Sequence, residues 1–258
     1  MPPDAARSTN KEPGKGTGPL LIAHRGSSGE APENTIAAFR LAVEQGADML
    51  ELDVRMTRDG ELVVLHDRTL RRTTDGSGSV YAWTLKELKK LDAGSWFDPG
   101  FAGERIPTLR EVLNMLPPRV GLNIEVKTDG QPRFPIERTL VKILNEEAPA
   151  SGIFISSFDH RFLRRLHALA PELELGALLI PVRDSARSPA SLHRSLGIRW
   201  IVCSGSWLRK RFIARAHEGG LSVCCYTVNT ERQLARAVRF GIDAVISNFP
   251  SRVRRMLA

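Results

Sequence analysis

Short apolar runs of β character alternate along this chain with stretches whose apolar residues recur at helical spacing, and that alternation limits the fold more than any other feature. The runs occupy residues 19–24, 47–54, 120–126, 152–156, 173–180, 200–203, 221–226 and 243–247. Helical spacing fills 34–45, 108–116, 135–147, 159–169, 189–196, 206–218 and 230–240, with a last segment at 250–257. Strand, helix and strand in that order pair as parallel neighbours through a right-handed crossover. Eight such units predict an α/β chain closed into a (β/α)8 TIM barrel, and the length of 258 residues suits one barrel. An open doubly wound sheet is disfavoured, because no strand is followed by a Gly-rich dinucleotide fingerprint. Residues 19–258 are expected to form the barrel, and residues 1–18, rich in Pro, Gly, Ser and Thr, a disordered tail.

One segment breaks the alternation. Between Asp53 and the run 62–66 the chain is too short for a parallel crossover, and Asp59-Gly60 is a strong hairpin signal. Strand 2 is therefore extended by a hairpin. With Asp59 and Gly60 as the two loop residues, Arg58 faces Glu61 and Asp53 faces His66. Residues 67–107, carrying Tyr81, Trp83, Trp96 and Phe97, then form a small insertion before helix 2 of the barrel, placed over the catalytic rim.

Charge and cysteine content bound the partners. Residues 1–129 carry 17 Lys+Arg against 19 Asp+Glu, and residues 130–258 carry 20 against 10, so the whole net charge of +8 comes from the second half. Arginines at outer-face spacings such as Arg161, Arg164, Arg232 and Arg236 read first as solvated surface. No aromatic platform or reader motif accompanies them, which excludes nucleic acid as the expected partner and leaves peripheral contact with anionic lipid open. No apolar run approaches the roughly 20 residues of a membrane span, and the N-terminus lacks the apolar core of a secretory signal. Cys203, Cys224 and Cys225 are too few for a disulfide framework and read as buried thiols in a reducing compartment, so cytoplasm is the expected location.

Barrel chemistry sits at the C-terminal ends of the strands. The first strand ends in His24-Arg25-Gly26. In the second, the period of two puts Glu51 and Asp53 on one face and Leu50, Leu52 and Val54 on the other; a later strand does the same with Asn123, Glu125 and Lys127. The aliphatic faces must meet the outer helices, so Glu51, Asp53 and Glu125 converge in the barrel mouth. Like charges about 4 Å apart repel by roughly 4 kcal/mol at an effective dielectric near 20, so protons or a cation must neutralise the cluster. An all-oxygen site suits one hard divalent cation, Mg²⁺ or Ca²⁺. The alternative is a metal-free salt-bridge network with Arg25 and Lys127. His24 and His66 beside such a cluster suit acid/base work on a phosphodiester, with Arg25 and Lys127 neutralising its oxygens. His160, His167, His193 and His217 read as structural.

The ordered set His24-Arg25-Gly26, Pro32-Glu33-Asn34-Thr35, Gly46-Ala47-Asp48, Glu51-Leu52-Asp53-Val54, Thr57-Arg58-Asp59-Gly60, His66-Asp67, Arg72-Thr73-Thr74 and Glu125-Val126-Lys127 resembles the glycerophosphodiester phosphodiesterase family. The resemblance implies a barrel enzyme that hydrolyses a small-molecule glycerophosphodiester to sn-glycerol 3-phosphate and an alcohol with a divalent cation. It implies Glu51, Asp53 and Glu125 as metal ligands, His24 and His66 as the acid/base pair, and Arg25 and Lys127 as phosphate contacts, with Glu33 and Asn123 supporting them. Near the C-terminus Tyr226 precedes Thr227-Val228-Asn229 where the family often has tryptophan, and Ser247-Asn248 replaces a common Thr-Asp. These departures are expected to leave the ligands and histidines untouched and to bear on the alcohol pocket, where Tyr226 can stack or donate a hydrogen bond. Two other readings remain: a related phosphodiesterase acting on lysophospholipids, and a non-catalytic barrel that binds phosphometabolites.

Overall fold

The computed structural model describes residues 18–128, 135–147, 152–180, 184 and 187–258. The tail expected over 1–18 thus lies, apart from Gly18, outside the described residues. Eight parallel strands close into a barrel: β1 (Leu20–His24), β2 (Met49–Met56), β4 (Gly121–Val126), β5 (Ile153–Ser157), β6 (Glu174–Leu178), β7 (Trp200–Ser204), β8 (Ser222–Tyr226) and β9 (Ala244–Ser247). They pair in the order β1-β9-β8-β7-β6-β5-β4-β2, and β1 pairs β2 to complete the ring. The short β3 (Leu62–Val64) folds back antiparallel on β2.

The period of two separates the strand faces as expected. Leu50, Leu52 and Val54 share one core with Phe39, Leu109, Val112 and Leu140 of the outer helices. Inward-facing Ile22, Met49, Phe154, Leu178, Trp200 and Ile246 form a second cluster that fills the barrel below the mouth. Phe154 and Trp200 stack there with ring centroids 5.0 Å apart. Gly176 makes room for them, since a Cβ at that position would lie 3.2 Å from both the Phe154 ring and the Trp200 side chain. Cys224 joins this inner cluster while Cys203 and Cys225 join the outer one, and all three thiols are free and buried.

Around the barrel run α1 (Ile36–Glu44), α3 (Leu109–Met115), α4 (Ile136–Glu147), α5 (His160–Leu169), α6 (Pro189–Leu196), α7 (Lys210–Glu218), α8 (Glu231–Arg239) and α9 (Pro250–Leu257); the short α2 (Leu85–Leu88) belongs to segment 67–107. Local sequence starts these helices. Thr108 with Glu111 and Thr230 with Gln233 form capping boxes, and Asp159 caps α5 by accepting from the Arg161 and Phe162 amides. Among the described residues no helix is long and apolar enough to cross a membrane.

The β2–β3 register corrects one expectation. Val54 stands opposite Val64 and Met56 opposite Leu62. The Leu65 amide donates to the Asp53 carbonyl at 2.9 Å, so Asp53 faces Leu65 and His66 lies one residue beyond. The loop holds three residues, Arg58, Asp59 and Gly60. The Thr57 hydroxyl donates to Asp59 at 2.6 Å and accepts from the Glu61 amide at 3.0 Å, while Gly60 takes the left-handed conformation with φ 89°. Side-chain bonding at Thr57 thus selects the longer turn that ends in a left-handed glycine.

Segment 67–107 has its own small core of Leu70, Val80, Leu88, Ala93 and Ile106, which packs on Val63 and Leu65. It is anchored to the hairpin where the Arg58 amide donates to the Trp83 carbonyl at 2.9 Å.

The turn after β1 presses against α1. Gly26 has φ 79°, and a Cβ there would meet the Ala38 backbone carbon at 2.6 Å and its oxygen at 2.7 Å. Gly26→Ala combines a left-handed backbone penalty of about 1–2 kcal/mol with overpacking of about 1–3 kcal/mol. We expect a lower urea midpoint at unchanged slope; an unaltered midpoint would mean that the turn relaxes freely.

Candidate active site

The strand register gathers residues far apart in sequence. His24 pairs with Glu51 across β1–β2, Glu51 with Asn123 and Asp53 with Glu125 across β2–β4. One carboxylate oxygen each from Glu51, Asp53 and Glu125 lies within 4.8 Å of the other two, and all three acids are buried. Asn123, level with Glu51 in the register, accepts from the Ser156 hydroxyl at 2.8 Å.

The acids differ in environment. Burial, followed by the charges of Asp53 and Glu125, raises Glu51 well above the usual carboxylate range. Burial and Asp53 push Glu125 up to about 7, against the pull of Lys127. Burial acts the same way on Asp53, but Lys127, Arg25 and His66, with a hydrogen bond from Asn34, outweigh it and hold this carboxyl below its ordinary value. The Lys127 ammonium lies 3.0 Å from Asp53 Oδ1 and also contacts Glu125; Arg25 Nε lies 3.2 Å from Asp53 Oδ2. Among the described residues, two cations therefore face the three acids. Asp53 Oδ1 makes no hydrogen bond of good geometry despite complete burial. An excess of buried carboxylate and oxygen donors from three strand positions fit a hard divalent cation.

Two residues in left-handed conformation hold the acids. Arg25 has φ 56°, and its amide donates to Glu51 Oε2 at 2.8 Å. Asn34 has φ 60°; its amide donates to the Arg25 carbonyl at 3.0 Å and its side chain to Asp53 Oδ2 at 2.9 Å. Such strain in non-glycine residues persists only where surroundings over-determine it.

The histidines enter from opposite sides. His66 Nδ1 donates to Asp67 at 2.7 Å, which leaves Nε2 as its basic nitrogen. Burial, first among several causes, lowers His66. Arg72 clamps Asp67 at 2.6 Å and Glu33 at 2.7 and 2.8 Å, and Glu33 accepts from Arg25 at 2.9 Å. One chain of charge-assisted bonds, Arg25-Glu33-Arg72-Asp67-His66, thus spans the mouth. Arg55 donates to the His66 carbonyl at 2.8 Å and fixes its backbone. His24 Nδ1 donates to Asn248 Oδ1 at 2.6 Å. Burial and the adjacent Arg25 charge lower His24 to about 4.

This last contact overturns an expectation. The departure at Asn248 was expected to leave the histidines untouched, yet Asn248 is the direct partner of His24. Tyr226 packs on the inner apolar cluster and lines a smaller cavity of about 350 Å³ with Ser204, Leu208 and Val228. Burial and Glu125 push its hydroxyl up to about 12. The larger opening, a groove of about 760 Å³, is lined by His66, Glu125 and Lys127 and extends over the ends of β4 and β5. Sequence reasoning assigned no role to Asn34, Asp67 or Arg72, although all three stand in the quoted motifs. The four remaining histidines lie outside the acid cluster, with His193 bonded to the Ile198 carbonyl at 2.7 Å and His217 to Asp243 at 2.8 Å.

Asn248→Asp places a carboxylate on His24 Nδ1 in place of a neutral amide, which favours the imidazolium. The His24 pKa should rise by about one to three units, read from the imidazole resonances in a nuclear magnetic resonance titration. An unmoved titration would show that burial and Arg25 alone set it.

Comparison with known proteins agrees with this geometry. The glycerophosphoryl diester phosphodiesterase family model matches residues 24–252. A glycerophosphodiester phosphodiesterase of Caldanaerobacter subterraneus is 41% identical over 239 residues, covering 90% of this chain and 94% of the relative. A phosphodiesterase of Oleispira antarctica, solved with the product sn-glycerol-3-phosphate, superposes with a TM-score of 0.83 at 35% identity, covering 93% of this chain and 96% of that one. A glycerophosphodiester phosphodiesterase of Agrobacterium tumefaciens superposes with a TM-score of 0.79 at 32% identity over 90% of this chain and 97% of that one. With the match running from the His24 strand end to α9, the chain belongs to the glycerophosphoryl diester phosphodiesterase family.

Proposed function

We propose that the chain hydrolyses glycerophosphodiesters to sn-glycerol 3-phosphate and an alcohol, with residues 19–258 acting as one catalytic barrel and 67–107 as its insertion. The observation that carries this reading is the buried trio Glu51, Asp53 and Glu125 within 4.8 Å at the barrel mouth, with a histidine on the strand or hairpin beside it. These three side chains would hold one divalent cation, Mg²⁺ or Ca²⁺. Once bound, such an ion supplies positive charge to a phosphoryl group and offsets the repulsion among the acids.

The remaining chemistry belongs to side chains. Arg25 and Lys127 orient and neutralise the nonbridging phosphate oxygens. Each is already held by acids, Arg25 by Glu33 and Asp53 and Lys127 by Asp53 and Glu125, so their positions are set before substrate arrives. His24 and His66 each present Nε2 as the basic atom. One takes the proton from the attacking oxygen, and the other gives a proton to the departing alkoxide. The attacking oxygen is water or the glycerol hydroxyl next to the phosphate, and trapping a cyclic phosphate decides between the two. Asp67, clamped by Arg72 and held low, down to about 2, chiefly by that hydrogen bond, stays ionised and favours the imidazolium of His66.

Three measurements test the reading. His24→Ala and His66→Ala should each lower turnover of glycerophosphocholine by about 10² to 10⁴-fold with the circular dichroism spectrum unchanged; near-normal turnover removes that histidine from the mechanism. Chelation should abolish release of glycerol 3-phosphate, and Mg²⁺ or Ca²⁺ should restore it. Asp53→Asn should weaken binding of the same ions in calorimetry by at least about tenfold, as expected for loss of a ligand charge; equal affinity would place the ion elsewhere.

A further inference from the structure

The groove that opens from the acid cluster has a far wall that the proposed hydrolysis leaves unused. Its near end holds His66, Glu125 and Lys127, and its far end holds Arg161, Arg164 and Arg187. Arg161 and Arg164 lie in the first turns of α5 at the spacing that puts both on one face. Neither guanidinium has a hydrogen-bond or ion-pair partner among the described residues, whereas the adjacent Arg165 pairs with Glu137 at 2.5 Å. The acids in this wall are committed elsewhere. Asp159 accepts from the Arg161 and Phe162 amides and, at 2.9 Å, from the Thr128 hydroxyl. Asp184, 1% exposed, accepts from the Ile180 amide at 2.9 Å and lies 3.8 Å from Arg187. Arg187 in turn donates to His160 Nδ1 at 2.6 Å, which fixes its position.

A phosphodiester centred on the acid cluster has two arms, and the groove gives one of them a path across the ends of β4 and β5 to a wall with cations to spare. We infer that this wall is an anion subsite for the alcohol arm, so that the enzyme favours diesters whose leaving alcohol carries a phosphate of its own. The inference rests on the proposed hydrolysis and adds its substrate class. Planar guanidinium groups suit phosphate through paired donors, and two of them on one helix face can share a single phosphate.

The test compares glycerophosphoinositol with glycerophosphoinositol 4-phosphate, which differ only in that group. The wild-type enzyme should prefer the phosphorylated diester by at least about tenfold in kcat/KM, and Arg161→Ala/Arg164→Ala should bring the ratio to within about threefold of unity. Arg161→Lys/Arg164→Lys should keep an intermediate ratio, since charge remains but paired donation is lost. Both arginines are exposed, so the circular dichroism spectrum should not change. Equal kcat/KM for the two diesters in the wild type, or an unaltered preference in the double alanine variant, overturns the subsite. So does loss of binding to phosphatidylglycerol vesicles in that variant with its diester preference intact, which would assign these arginines to a membrane surface. Hydrolysis of neither diester would instead remove the underlying activity.

Discussion

Three carboxylates forced into one water-poor opening set the terms for the rest of the molecule. Each strand face is decided by alternation, so keeping Leu50, Leu52 and Val54 against the outer helices commits Glu51 and Asp53 to the inside. The β2–β4 register then brings Glu125 alongside Asp53. No local rearrangement relieves the repulsion, because a one-residue slip would expose the aliphatic face and bury the acids among the helices. Positive charge must therefore come to the acids. Lys127 and Arg25 provide part of it, and the remainder is the physical basis for a cation.

The cost of holding these groups is spread through the chain. Arg25 and Asn34 accept left-handed backbones, Gly26 lies where no side chain fits, and Asn34 gives its amide group to Asp53. The salt-bridge chain through Glu33 and Arg72 ties β1 to segment 67–107, which thereby becomes part of the site rather than a cover over it. A mouth built in this way resists relaxation, which is what oriented charges need if they are to act without reorganising.

Much of this was legible in the sequence, because it depends on period. The eight strand and helix alternations, the inward acids, and the convergence of His24, Glu51, Asp53 and Glu125 follow from residue types at spacings of two and from barrel closure. Register and partner choice were less legible. The hairpin slipped by one residue from the two-residue turn because the Thr57 hydroxyl binds both Asp59 and the Glu61 amide, a side-chain effect that alternation does not encode. Asn248 and His24 are 224 residues apart and meet only because β9 closes the barrel on β1. A substitution at the last strand end therefore reaches the first strand's histidine.

That closure gives the two histidines unequal surroundings. His66 leans on an ionised carboxylate that Arg72 holds in place, and His24 leans on a neutral amide beside the Arg25 charge. Burial lowers both rings; the Asp67 carboxylate opposes it at His66, whereas at His24 burial and the Arg25 guanidinium outweigh the pull of the Asn248 oxygen towards the protonated ring. A reaction that needs one group to accept a proton while another donates one is served by such a split, as paired titratable groups in different environments divide the two roles between them. In this chain the difference arises from Asp67 at the hairpin's exit for one ring and from burial beside Arg25 at the end of β1 for the other, so the strand 2 extension and the first strand end set the two environments.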